Sequence, residues 1–374
     1  MFVDRLLRGG IQTLLLNIVE HIDRDRFDVE FLTLDDGKNY PLEQQLNDLG
    51  FHVHRLEGIW IKSPLSYRSY DRELDRFYCE HGPYDVVHMH SSSKNYPILR
   101  LAERHGIAVR IAHSHNTGFR TKSLMKVALG NLMMAEINRY ATLRFACSHE
   151  AGRWMFGPSF PDEPDEEIIH NALEPNRFTF SPQIREEMRD ELGLDRQLCI
   201  LNVARLEPEK NQARLISIMG ELVKDDVPAM LLVVGQGTLD QELTAQVRDL
   251  DLEDHVRFLG FRDDVTRIMQ AADVFAMTSF HEGLPCVAVE AQAAGLPCLF
   301  SDAISPDVLI LPQSKLLALS APDAVWARAI LSMVASGDRH DTGVELRRAG
   351  YDITEEVKRL ENIYLKALNS KATF

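Results

Sequence analysis

Short runs of β-branched and aromatic residues alternate with stretches of helical spacing along almost the whole chain. Residues 27–34 (FDVEFLTL), 84–90 (YDVVHMH), 109–115 (VRIAHSH) and 144–148 (RFACS) are predicted strands. Between them, 11–22 (IQTLLLNIVEHI), 71–81 (DRELDRFYCEH) and 98–106 (ILRLAERHG) carry apolar residues at helical intervals. A charged, proline-containing stretch at 181–197 separates this series from a second one. The strands of the second series are 198–206, 229–237, 256–260, 273–279 and 297–301, with a helix fitting between each pair. The rhythm predicts parallel sheets covered on both faces, hence two doubly wound α/β domains, at 1–180 and 198–350. The segment 354–368 is an amphipathic helix with Val357, Leu360, Tyr364, Ala367 and Leu368 on one stripe. A glycine turn at 8–10 comes so early that the first strand has room for little beyond Phe2, Val3 and Asp4. Either that strand is very short or the natural chain begins upstream.

Composition narrows the class. The 374 residues are 45% hydrophobic and 26% charged, as in a soluble globular protein with a sizeable core. A net charge of −15 argues against nucleic acid as a partner and means that an anionic ligand needs a local basic site. The five cysteines are scattered without a Cys-x-x-Cys pair, which predicts reduced, mostly buried thiols. No apolar run approaches the ~18 residues of a membrane helix, and Arg5, Arg8 and Glu20 interrupt any leader. The expected location is the cytoplasm, with docking on the inner face of a membrane left open. One stretch departs from the acidic background. Residues 119–144 hold Arg120, Lys122, Lys126, Arg139 and Arg144 against Glu136, beside an apolar set of Leu124, Met125, Leu129, Leu132 and Met133. It reads as a docking surface for anionic membrane or as a core helix with a basic rim.

The segment 279–297 (SFHEGLPCVAVEAQAAGLP) places two carboxylates, Glu282 and Glu290, in apolar surroundings. Pro285 suits the first position of a helix and Gly295 the position past its end, so Glu282 falls in the preceding loop and Glu290 in the second turn. The backbone N–H groups of Gly283, Leu284 and the first turn would then cradle an anion. The carboxylates would serve as an acid–base pair or as acceptors for hydroxyls. The bland alternative is a buried helix with a solvated Glu282 and an ion-paired Glu290. Arg205 and Lys210 bracket a Glu-Pro-Glu turn in 204–211 (ARLEPEKN), at the carboxyl end of the strand that opens the second series. There they would face a crevice and hold a diphosphate, or else pair with Glu207 and Glu209. His88, His90, His113 and His115 form two His-x-His pairs, expected to be crevice histidines without metal. The Asp-x-Asp patterns at 23–25 and 249–251 are expected at solvated helix ends.

The ordered motifs RGGIQTLLLN (8–17), YDVVHMH (84–90), IAHSHNT (111–117), IIHNALEPNRF (168–178), Arg-x4-Lys-Asn, VVGQG, LGFRDDVTRIMQAADVF and Glu-x7-Glu resemble those of the retaining glycosyltransferases of family 4. The resemblance covers essentially the whole chain and is nearest to enzymes of capsular or extracellular polysaccharide synthesis. It implies the GT-B fold: two Rossmann-like domains facing a central cleft, a helix at about 352–374 joining the first. It implies that Arg205 and Lys210 hold the donor diphosphate, that Glu282, with Gly283 and Leu284, reads the donor sugar, and that Glu290 binds the ribose. Phe261 and Arg262 would receive the base through their backbone. Gly9 and Gly10 would form the first-domain loop, and His115 would stand near the reacting sugar. No metal or other cofactor is implied. The expected reaction moves a hexosyl unit, with retention, from a nucleotide-diphosphate sugar, by family habit a UDP-sugar, to a glycan or lipid-linked acceptor. Ala172 stands where many relatives have glycine, and Thr278 replaces a frequent proline. A silent nucleotide-sugar-binding subunit, and a phosphorylase or epimerase on the same fold, are the alternatives.

Overall fold

A computed structural model describes residues 1–6, 9–56, 64–91, 93–119, 121, 123–335 and 339–371, with backbone alone at 64–66 and 371. The chain forms two compact units: Met1–Ala172 together with the segment from Ile353 onward, and Leu173–Asp352.

The first unit holds a seven-stranded parallel sheet. Its strands are β1 (Phe2–Val3), β2 (Glu30–Leu34), β3 (His52–Leu56), β4 (Val86–His90), β5 (Val109–Ser114), β6 (Leu143–Ala146) and β7 (Glu166–Ile168). The spatial order is β3-β2-β1-β4-β5-β6-β7. One face packs Phe2, Leu32, Met89 and Ala112 against Tyr70, Leu74, Ile98 and Leu101 of the helices Pro64–His81 and Pro97–Arg104. The other packs Val109, Ile111 and Phe145 against Leu14 and Ile18 of the helix Gly10–His21. Val357, Leu360 and Tyr364 of the helix Ile353–Lys371 close the same face, which is the stripe the spacing predicts.

The second unit holds a six-stranded parallel sheet in the order β10-β9-β8-β11-β12-β13. These are β8 (Leu198–Val203), β9 (Ala229–Val234), β10 (Val256–Gly260), β11 (Val274–Met277), β12 (Cys298–Ser301) and β13 (Ser314–Leu317). Both α/β units are of the expected doubly wound class. The strands that patterning overlooked, β3, β7 and β13, lie at or near sheet edges and carry HVHRL, EEI and SKLL. One-sided burial leaves such strands without a continuous apolar run.

The boundary between units differs from the expected one. Residues 173–197 group with the second unit. The charged stretch there is a helix, Pro182–Glu191, capped by the Ser181 hydroxyl, which accepts from the Ile184 N–H at 3.3 Å. Its arginines have structural partners. Arg185 and Arg189 both reach the Asp273 carboxylate, at 2.5 and 3.4 Å, and Asp273 also accepts from the Cys199 N–H at 2.7 Å. High charge here therefore marks a helix that ties to Asp273, just ahead of β11.

Candidate functional site

In the second sheet, β8 lies between β9, its successor in the chain, and β11. The connections leaving β8 and β11 depart to opposite sides, which opens a crevice at the carboxyl ends of these two strands. The loop after β8 carries Arg205 and Lys210, and the loop after β11 carries Glu282. The two loops are tied together. The Phe280 N–H donates to the Glu209 carbonyl at 2.9 Å. Asn211 and Thr278 clasp each other: Asn211 Nδ2 donates to the Thr278 carbonyl at 3.0 Å, and the Thr278 hydroxyl donates to the Asn211 carbonyl at 2.8 Å. Asn211 takes a left-handed conformation (φ 54°) that asparagine tolerates better than most residues. Lys210 Nζ donates to Glu282 Oε1, and the two side chains are only 15% and 17% exposed.

A third loop buttresses the Arg205 backbone. At Gly235 (φ 137°) and Gly237, a Cβ atom would collide with the carbonyls of Ala204 and Leu206. Leu206 N–H donates to the Gln236 carbonyl at 3.1 Å, and Gln212 Nε2 to the Arg205 carbonyl at 2.9 Å. The Arg205 side chain is 48% exposed and pairs with Glu209 at 3.1 Å. Surface pairing thus describes Arg205, whereas Lys210 reaches across to the other loop. Glu207 instead accepts from the Thr238 hydroxyl at 2.9 Å.

The helix after Glu282 runs Cys286–Ala293, with Pro285 as its cap residue, one position earlier than expected, and Gly295 (φ 70°) just past its end. It is buried on several sides, and Gln292 is fully buried, its amide bonded to Val308, Leu311 and Ser314. Gly283 and Leu284 are buried as well, and Glu282 bridges to Ile304 on its far side. Glu290 occupies the second turn. Burial pushes its carboxyl up to about 7, and Arg177 acts against that rise. No ion pair to Glu290 occurs among the described residues. At the end of β10, Phe261 is exposed. The Arg262 guanidinium is taken up by Asp264 at 2.5 and 2.7 Å and by Glu191 at 3.3 Å, which hold it charged.

In the first unit, Gly9 caps the helix that begins at Gly10, and Arg8 lies outside the described residues. The crevice position of this sheet, between β1 and β4, is taken by groups that sequence reasoning did not single out. Asp4 accepts from the Ser91 hydroxyl, from Asn95 Nδ2 at 2.5 Å and from Lys94 Nζ at 3.2 Å, while buried Tyr70 donates to Asn95 at 3.1 Å. The polar run after β4 (SSSKN) was the available signal.

The histidines correct an expectation. His88, His90 and His113 are buried in the first unit rather than lining a crevice: Phe145 packs against His88 and His113, Tyr364 against His88, and His90 stacks on His88. His88 Nδ1 meets the Tyr364 hydroxyl at 2.6 Å, and His88 Nε2 meets His113 Nδ1 at 3.1 Å. His90 Nδ1 meets His115 Nε2 at 3.0 Å. Their ligating atoms lie within 4.8 Å of one another in the trio His88, His90 and His113. Two of the His88 and His113 nitrogens already face each other in a hydrogen bond, and the His88 and His113 rings are nearly parallel (13°). His115 follows β5 and is half-buried.

Both Asp-x-Asp patterns sit at helix ends: Asp23 follows Gly10–His21, and Asp249 ends Asp240–Asp249. On the helix Leu124–Tyr140, Leu124, Met125, Leu129 and Leu132 are exposed (86, 79, 52 and 69%) and Lys126 with them, whereas Met133 is half-buried. Arg144 lies on β6 and pairs with Asp165, and Arg120 and Lys122 lie outside the described residues. No described helix is long and apolar enough to cross a membrane.

Solved structures share this pair of units. HepE of Anabaena, in complex with UDP, superposes with a TM-score of 0.79 at 20% identity, covering 98% of this chain and 99% of its own. WaaG, a glycosyltransferase involved in lipopolysaccharide biosynthesis, gives 0.68 at 17% identity, covering 98% of each chain. The fold is that of the GT-B glycosyltransferases.

The sequence comparisons then fix the family. Residues 9–172 match the glycosyl transferase 4-like domain, and 184–348 match glycosyl transferases group 1. EpsF of Bacillus subtilis (strain 168), whose name places it among the glycosyltransferases, is 33% identical over 365 residues, covering 96% of this chain and 93% of its own. A UDP-Gal:alpha-D-GlcNAc-diphosphoundecaprenol alpha-1,3-galactosyltransferase of Escherichia coli is 26% identical over 98% of this chain and 96% of its own. The chain belongs to the GT-B glycosyltransferases of the family 4 type.

Proposed function

We propose that this glycosyltransferase moves a hexosyl unit, with retention of configuration, from a nucleoside-diphosphate sugar to a glycan or lipid-linked acceptor in surface polysaccharide synthesis. The observation that carries the reading is the shielded pair of Lys210 and Glu282, set on two clasped loops at the crevice of the second sheet. One cation and one carboxylate side by side suit a ligand that offers phosphate oxygens to the first and sugar hydroxyls to the second. Arg205, half-exposed on the same loop, swings from Glu209 to the diphosphate as the donor arrives. Glu290 accepts the ribose hydroxyls. The backbone at Phe261 and Arg262 receives the base, which we take to be uracil from the UDP-linked substrate of one relative's name and the UDP in a neighbour's complex.

In the transfer, the bond between the anomeric carbon and the phosphate oxygen breaks while the acceptor oxygen bonds to that carbon from the same face. The acceptor hydroxyl proton passes to the departing phosphate. Lys210 and Arg205 stabilise the charge that develops there, so the reaction runs without a metal. Gly9, Gly10 and His115 are the first-unit groups assigned to this chemistry. The exposed apolar face of Leu124, Met125, Leu129 and Leu132, with Lys126 beside it, rests on an anionic bilayer and brings the enzyme to its lipid-linked acceptor.

The test is turnover on a panel of nucleotide sugars with a polyprenyl-diphosphate sugar acceptor, in the presence of a chelator, with the anomeric configuration of the product read by NMR. Retention without added metal is expected. An inverted product, or activity abolished by the chelator and restored by a divalent ion, overturns the mechanism.

A further inference from the structure

We propose that His90 is a positioning residue that fixes the tautomer of His115, so that His115 presents Nδ1–H as a hydrogen-bond donor to an oxygen of the sugar or phosphate. The inference deepens the reading above and rests on His115 standing at the reacting sugar.

The argument is a count of protons. A neutral imidazole carries one N–H and one bare nitrogen. His90 Nδ1 lies 3.0 Å from His115 Nε2, and His90 Nε2 is buried with no hydrogen-bond partner among the described residues. A proton on His90 Nε2 would be a buried N–H without an acceptor. A proton on Nδ1 leaves only a bare lone pair there, and orphaned buried N–H groups are the rarer of the two in folded proteins. His90 therefore donates from Nδ1, and His115 Nε2 accepts. The one proton of His115 is left on Nδ1.

The neighbouring rings are linked in series: His88 Nε2 meets His113 Nδ1 at 3.1 Å, and His88 Nδ1 meets the Tyr364 hydroxyl at 2.6 Å. Burial keeps all four rings neutral, with the imidazolium of His115 stable only below about 3. A neutral donor with a fixed direction suits an oxygen that must be oriented without surrendering or receiving a proton. The rings of His90 and His115 stand 5.3 Å apart at 22°, and His113 lies against His115 at 4.1 Å, so neither ring is at liberty to flip.

The experiment begins with the unsubstituted protein, labelled with 15N-histidine. A long-range 1H–15N spectrum should show His115 protonated at Nδ1 and bare at Nε2; the reverse tautomer overturns the proposal. His90→Leu should mix the two tautomers and lower kcat about tenfold, the scale seen when a group that orients a histidine is removed, with donor KM nearly unchanged. His90→Asn restores an N–H near the Nδ1 position and should recover both the tautomer and most of the turnover. Unchanged tautomer and turnover in a folded His90→Leu protein would also overturn it. If the spectrum is as expected but His115→Ala retains full turnover, the placement of His115 at the reacting sugar fails while its positioning by His90 stands.

Discussion

Glu290 gives the prediction with the most internal checks. Its carboxyl is raised from 4.5 to about 7 by burial, so ionising it in the ligand-free protein costs on the order of 3 kcal/mol. At pH 6 about nine in ten molecules carry the proton, and at pH 8 about one in ten. Two ribose hydroxyls donating to the carboxylate favour the charged form, so nucleotide binding expels the proton. Titration calorimetry with uridine diphosphate should find affinity flat above pH 8 and falling up to about tenfold per unit below pH 7. Close to one proton should leave at pH 6, seen by comparing buffers of different ionisation enthalpy. Glu290→Gln should bind more weakly at pH 8 and lose this part of the pH dependence, which separates it from titration of the nucleotide itself. The stability of the ligand-free protein follows with the opposite sense. The native state holds a proton that the unfolded chain has lost between pH 4.5 and 7, so stability declines as pH rises through that window. Glu290→Gln should then melt higher than the wild type at pH 8 and similarly at pH 4.5. Identical pH profiles for the two proteins would refute both the burial argument and the ribose contact.

Lys210→Ala and Glu282→Ala should each cut turnover at least about 10²-fold while circular dichroism stays native. The double variant should be far from additive because the two side chains meet; additivity in a nucleotide-release assay would deny their cooperation. Thr278→Val removes the hydroxyl at nearly constant size, breaks one of the two bonds of the clasp to Asn211, and should destabilise the protein by about 1–2 kcal/mol in urea while raising donor KM. A change in stability with KM untouched would make the clasp purely structural. Lys126→Glu with Leu129→Gln and Leu132→Gln should abolish co-sedimentation with anionic liposomes but leave turnover on a soluble acceptor unchanged; undiminished sedimentation would dismiss the bilayer as the partner of this face.

Much of the architecture was legible because buried parallel strands announce themselves as apolar runs, and both sheets are built from such strands at their centres. The edge strands β3 and β7 were not, since HVHRL and EEI look like helix or loop without their neighbours. The helix Pro182–Glu191 was hidden by its own charges, whose partners on Asp273 lie far off in sequence. At the site, spacing placed Glu290 on its helix and Glu282 in the loop before it. It could not show that Lys210 would choose Glu282 over two nearer glutamates, because that depends on loops joined by Asn211 and Thr278. The change from proline to threonine at 278 was visible, but its hydroxyl gains meaning only beside the Asn211 carbonyl. The histidines misled for a similar reason: alternation sets which face they share, and the Tyr364 that packs on His88 arrives from the far end of the chain.

That last helix sets a schedule for biogenesis. All of Leu173–Asp352 must leave the ribosome before Val357, Leu360 and Tyr364 exist to cover Leu14, Ile18, Val109 and Phe145. At roughly 5–20 residues per second, the nascent first unit waits on the order of ten seconds or more with a greasy flank bare. During that interval it is a natural client for a chaperone, and a truncation that removes only the final helix would strand it there permanently.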